Sequence, residues 1–185
     1  MADIPNIVSF LKYNDFDKFL DTVFKPGNGL TMDNYRNNRS RLFLETFSNG
    51  KRLLQDSALH AGMSTPCNCW LYNDTLNIKI AIGMFGGMGY NIKLYKDGFS
   101  SLALLYIDDV KPFKYKLSDK DFTNQLFLRS IEQTLIVDKK PTFKGGQQLT
   151  GYLTFTTPLW YENSWGSNID TNYARGRIYF TCATK

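Results

Sequence analysis

Only one histidine, His60, occurs in the 185 residues of this chain. That scarcity removes every mechanism needing two imidazoles. A histidine-containing metal centre would have to draw its other ligands from cysteine or carboxylate. Cysteine is nearly as scarce: Cys67, Cys69 and Cys182 form an odd, small set, which is no disulfide framework. One residue separates Cys67 from Cys69, against the roughly two to four common between paired zinc-binding cysteines. Cys182 stands in an apolar alternation with Ile178 and Phe180, where a thiol behaves as a small hydrophobe. A zinc site of three cysteines and His60 is therefore disfavoured. Structural thiols are expected, with one bridge from Cys182 to Cys67 or Cys69 if the compartment is oxidising.

Long apolar runs are absent too, none approaching the ~20 residues that span a bilayer. No Gly-Lys-Ser/Thr phosphate loop occurs. The glycine-rich run from Gly83 to Gly89 leads into Tyr90-Asn91-Ile92-Lys93-Leu94, a strand pattern rather than the helix whose first N–H groups would hold a phosphate. It reads as a hairpin turn or bulge, and no cofactor is expected. The start, Met1-Ala2-Asp3-Ile4-Pro5, lacks the basic and apolar regions of a leader. Cytoplasmic residence is the expectation, or secretion with a leader already removed. In a eukaryotic secretory pathway Asn38-Arg39-Ser40 and Asn73-Asp74-Thr75 would be glycosylation sequons. Charge is not concentrated either. The net +5 divides into 8 basic and 7 acidic residues before Pro66, and 14 and 10 after it. Lys111, Lys114 and Lys116, then Lys139, Lys140 and Lys144, are the densest groups, and acids lie beside both. Such dispersal predicts no nucleic-acid partner.

What is present suits one domain over residues 1–185, long enough to bury roughly 70% of its unfolded surface without a metal staple. Aromatics make up 15% of the chain, a composition that fits pleated, half-buried surfaces. The first third reads as helix. Pro5 suits a first turn, and Asn14 with Asp17 resembles a cap. Phe16, Phe19, Leu20, Val23 and Phe24 recur at helical steps, and Lys25-Pro26-Gly27 is a stop signal. Over residues 31–63 two readings compete: helices carrying Tyr35, Leu42, Phe43 and Leu59, or a hairpin about Asn49-Gly50. The Arg-, Leu-, Gln- and Ala-rich flanks favour helix.

After Pro66 the period becomes two. Leu76, Ile78, Ile80 and Ile82 alternate with polar or small residues, and Tyr90, Ile92 and Leu94 resume the pattern. Lys96-Asp97-Gly98 then turns the chain into Leu102–Ile107, completing a meander. Further strands are expected at 113–117, 126–137, 149–156 and 177–182, with Ser118 and Asp121 capping a short helical turn. The fold class read from the sequence is thus α+β: a helical segment 1–65 packed on an antiparallel sandwich or open barrel of about seven strands at 66–185.

No catalytic constellation stands out. His60 with Cys67 lacks a specified contact or an orienting third group. The carboxylate pairs Asp108/Asp109 and Asp119/Asp121 sit among lysines at strand ends, where turn formation explains them. The least ordinary segment is the loop from Trp160 to Asn168. Its Trp160, Tyr161 and Trp165 rings stand among Asn163, Ser164, Gly166 and Asn168. Large rings beside adaptable amides make a common contact surface. The expectation is a non-enzymatic binding protein that uses Trp160, Tyr161, Asn163, Trp165 and Asn168 for a protein or carbohydrate partner. The alternatives are a membrane-active protein using an amphipathic helix over residues 5–24, or a hydrolase using His60 and Cys67 or a carboxylate pair. Asp15, Asp17 and Asp21 on that helix weaken the membrane reading.

Overall fold

The computed structural model describes residues 8–10, 38–53, 63–82, 86–163 and 168–185. In chain order the strands are β1 (Val8–Phe10), β2 (Arg39–Ser48), β3 (Lys51–Arg52), β4 (Met63–Tyr72), β5 (Thr75–Ile82), β6 (Gly86–Tyr95) and β7 (Gly98–Ile107). After these come β8 (Phe113–Lys114), β9 (Gln125–Arg129), β10 (Glu132–Val137), β11 (Gln148–Thr156), β12 (Trp160–Asn163) and β13 (Ile169–Ala183). Across the sheet the order is β1-β10-β11-β13-β2-β4-β5-β6-β7-β9, with β3, β8 and β12 attached at the side. All these ladders are antiparallel except β1 on β10. From β10 round to β9, nine strands curl into a nearly closed barrel.

The expected α+β architecture is overturned: among the described residues there is no helix. Val8–Phe10 is a strand, and β2, β3 and the start of β4 make up nearly all the rest of the N-terminal third that is described. The physical reason lies in β2. Leu42 and Leu44 are buried while Arg41, Phe43, Glu45 and Phe47 alternate with them on the other side, so both faces carry large residues. A strand paired along ten positions with β13 uses both faces, whereas a helix would leave one of them unsupported. Asn49 (φ 49°) and Gly50 (φ 78°) are both left-handed, the backbone that a two-residue type I′ hairpin requires. Of the helix expected over residues 5–24, Val8–Phe10 is strand instead and the rest lies outside the described residues, as do His60 and Trp165. No helical turn forms at Ser118. Asp119 instead closes a turn by accepting from the Lys116 amide at 2.7 Å.

The meander expected from Leu76 onward is present as β5, β6 and β7, with Leu76 opposite Leu94 and Leu94 opposite Phe99. Strand β4 contains Pro66, at the point where it changes neighbours. Met63–Pro66 pairs with β2 and Cys67–Tyr72 with β5, so the missing N–H falls at a handover between ladders. Strand β13 outlasts β2 at its C-terminal end, which brings Cys182 beside β4. There it forms a disulfide with Cys67, Cα to Cα 5.8 Å, across 115 residues of sequence. Cys69 stays a free, buried thiol.

The core fills the barrel interior in rows that cross strands. One row is Leu42, Ile178, Leu153 and Leu135, all nearly inaccessible. Each such side chain contributes roughly 1.5–3 kcal/mol by leaving water. Two neighbouring rows hold reciprocal glycine–phenylalanine pairs between β11 and β13. Phe180 faces Gly151, and Phe155 faces Gly176. Each ring lies over its glycine so closely that a Cβ there would overlap it. The barrel seam is polar. Ser101 of β7 donates from its amide (3.0 Å) and its hydroxyl (2.7 Å) to Gln133 Oε1 of β10. Its hydroxyl oxygen therefore accepts from Ser130 (2.7 Å), whose own oxygen accepts a hydrogen bond from the Tyr90 hydroxyl at 3.5 Å. This buried chain satisfies its members and ties β10 to β7 where no ladder does.

Candidate binding face

The outer surface of β10, β11, β13 and β2 follows from the same alternation. Residues that alternate with the core rows must point outward. On β13 these are Tyr173, Arg175, Arg177 and Tyr179, and on β2 they are Arg41, Phe43, Glu45 and Phe47. Cross-strand register sets Arg177 opposite Phe43, Arg175 opposite Glu45, and Tyr173 opposite Phe47. The Phe47 and Tyr173 rings stack in parallel, centroids 4.5 Å apart and 2° from coplanar. Arg175 lies over both, at 5.6 and 5.5 Å. Phe43 carries Arg41 and Arg177, each 5.2 Å from its centroid, and meets Tyr179 edge-on at 5.7 Å. Tyr152 of β11 packs on Tyr179 at 4.7 Å. Burial, with the neighbouring Tyr152 adding to it, pushes the Tyr179 hydroxyl up to about 12.

Between these aromatic groups the face is concave, enclosing about 460 Å³. Its walls include Phe43, Glu45, Glu132, Thr154, Arg175 and Arg177. The ion pair found among the described residues is Arg52 with Glu45, 2.8 Å apart. Glu132 accepts from Thr156 Oγ1 at 3.1 Å. Arg175 and Arg177 are exposed and have no carboxylate partner among the described residues. Of the chain's 7 arginines, Arg39, Arg41, Arg52, Arg175 and Arg177 belong to β2, β3 and β13. Cation–π contact with an exposed ring is worth ~0.5–1 kcal/mol. Its larger consequence is orientation, because a guanidinium laid on a ring directs its edge N–H groups outward.

The loop singled out by sequence is placed differently. Trp160 is 3% exposed and belongs to the core, in β12. Tyr161 is half-buried, Asn163 and Asn168 are exposed, and Trp165 lies outside the described residues. Trp160 and Tyr161 occupy opposite faces of one strand, so they do not share a contact surface. Among the acids considered, Asp108, Asp109 and Asp121 are exposed and Asp119 is tied to its turn. Cys67 is held in the disulfide and has no thiol to offer. The glycines Gly86 and Gly89 are part of β6.

Sequence reasoning missed the arginine face because its members are some 130 positions apart and none makes a basic block. The signal is nonetheless local and periodic. Tyr173-x-Arg175-x-Arg177-x-Tyr179 and Arg39-x-Arg41-x-Phe43 place arginine and aromatic residues on one side of each strand. No protein-family model, curated protein or solved structure matches the chain.

Proposed function

We propose that this chain is a non-enzymatic binding protein. Its contact surface is the outer face of β10, β11, β13 and β2, and its partner is an acidic polypeptide segment in extended conformation. The observation that carries the reading is the pair Arg175 and Arg177: exposed, stacked on rings, and without a carboxylate among the described residues. Positions two apart on a strand lie about 6.6–6.8 Å apart. An extended partner presents alternate carboxylates at the same interval, so each guanidinium can take one in a two-point contact. Hydroxyls at Thr154 and Thr156 border the same concavity and supply further polar contacts.

The test is fluorescence anisotropy with a labelled peptide of alternating glutamate and threonine. Binding that weakens as salt rises is expected. A charge-assisted hydrogen bond contributes ~1.5–3 kcal/mol, so Arg175→Ala and Arg177→Ala should each weaken binding roughly tenfold or more. Both side chains are exposed, and the melting temperature should move little. Heparin and a single-stranded oligonucleotide are run as competing polyanions. Tighter binding to either would overturn the peptide assignment, and no binding to any of the three would overturn the face itself.

A further inference from the structure

We infer that the outer face of β4, β5 and β6 is a second, separate binding site, and that its ligand is a uronic acid chain, a glycan rich in hydroxyls and sparse in charge. Strands β4, β5, β6, β7 and β9 contain no aspartate or glutamate, yet they carry Lys79, Lys93 and Arg129. All three cations are exposed, and none has a carboxylate partner among the described residues. The other large strands keep acids of their own, at Glu45, Glu132 and Asp170. Positive charge is therefore uncompensated on this side of the barrel, which suits an anionic partner.

Register turns the outward alternation into an array. One row across the sheet reads Trp70, Asn77, Lys93, and the next reads Asn68, Lys79, Asn91. Lysine and asparagine thus form a checkerboard on β5 and β6, with the two lysines on a diagonal of roughly 7–8 Å. An amide both donates and accepts, as a sugar hydroxyl does. Asn77 is only 8% exposed although it faces away from the core, and its Nδ2 donates to the Thr75 carbonyl at 3.1 Å. Asn91 Oδ1 is buried and meets no donor among the described residues. A hydroxyl reaching into the array would satisfy that acceptor, which is costly to leave unpaired. Rings border the array at one end. Trp70 heads the first row, and Tyr72 and Tyr95 stand two positions further along β4 and β6. All three are exposed, Tyr72 most of all at 67%. Tyr95 is steadied by a 3.2 Å hydrogen bond between its hydroxyl and Ser100 Oγ. Large rings beside a polar bed offer the contact area on which the C–H face of a sugar ring can rest.

Other anions fit less well. A single-stranded nucleic acid calls for rings interleaved with cations along one track, whereas here the rings stand at one end and the lysines behind them. A densely sulfated chain would bring more charge than the array can meet, because asparagine outnumbers lysine in it. Against an anionic membrane, Asp74 and Asp97 in the hairpin turns beyond the two tyrosines would be repelled.

Isothermal titration of the full chain with tetrasaccharides of galacturonate, glucuronate and mannuronate tests the site. At least one should bind, more weakly as salt rises, and its methyl ester should bind roughly tenfold more weakly. Lys93→Gln and Trp70→Ala should each weaken binding by roughly the same factor. Tyr72→Ala should do so too, and its ring is exposed enough that the melting temperature should not move. Lys140→Gln, at an exposed lysine between β10 and β11, should change nothing. Silence from all three uronates would overturn the site, as would binding indifferent to esterification or to both Lys93→Gln and Tyr72→Ala. Tighter binding of heparin or of a single-stranded oligonucleotide to this face would overturn the ligand class. Displacement of the glycan by the glutamate–threonine peptide would put both ligands on one face and overturn the separate site.

Discussion

Substituting Gly151 by alanine probes the tightest packing in the barrel. The added Cβ would overlap the Cζ end of the Phe180 ring, with Cε1 and Cε2 at 2.7 and 2.9 Å. Phe180 is completely buried, and Ile178 and Cys182 beside it on β13 are buried as well, so the ring has nowhere to go. Overpacking of this kind costs ~1–3 kcal/mol. Alanine returns ~0.4–1 kcal/mol by stiffening the unfolded chain, so the net effect is a loss. For a chain of this size each kcal/mol moves the melting temperature by about 2–4 °C. The expected outcome is a fall of several degrees, read by urea titration as a lower midpoint at unchanged slope. The double variant Gly151→Ala with Phe180→Leu should recover part of the deficit relative to the sum of its single variants. The two residues are direct cross-strand partners, so a coupling of ~0.5–3 kcal/mol is expected. Gly151→Ala unfolding like the parent, or strict additivity with Phe180→Leu, would refute the interlock.

Two further outcomes test the cysteines. Reducing the Cys67–Cys182 bridge releases a loop of 115 residues. Loop closure of that order is worth up to ~4.7 kcal/mol, so the reduced chain should melt well below the oxidised one, and equal melting would refute the bridge. Alkaline pH should destabilise the fold from about pH 9 upward. Burial holds the Cys69 thiol at about 12 against an ordinary 9.0. Between those values the unfolded chain ionises and the folded chain does not, so protection is complete below pH 9 and is lost as pH rises toward 12. The slope attributable to one such thiol is at most ~1.4 kcal/mol per pH unit. Cys69→Ala should flatten the fall in urea midpoint between pH 8 and 10.5, and an unchanged slope would sink the assignment.

The C-terminal body was legible in the sequence wherever one face was apolar and the other polar. Leu76, Ile78 and Ile80 against Asn77 and Lys79 fix both the strand and its inward side, and the meander is present from those positions onward. The Asn49-Gly50 dipeptide was also a correct local sign, outweighed by flanks rich in helix formers. What decides β2 is not local. Ten pairings to β13, more than 120 positions away, supply the hydrogen bonds and burial that override its helical propensity. Strand β4 was hidden for a different reason: Pro66 reads as punctuation until it is seen to stand between two ladders.

The binding face was harder to read than the fold because arginine is ambiguous in one dimension. A charged residue alternating with core residues on a strand is ordinarily its solvated side. On β13 and β2 the outward positions are divided between guanidinium and ring, in register, so that Phe43, Phe47 and Tyr173 each stack a charge contributed by the neighbouring strand or their own. Two strands with that pattern are uninformative separately and specific together, since only pairing converts alternation along a strand into a lattice across it. In a barrel, then, the sequence announces the inward rows strand by strand. The outward chemistry is written in the register, which long-range pairing alone supplies.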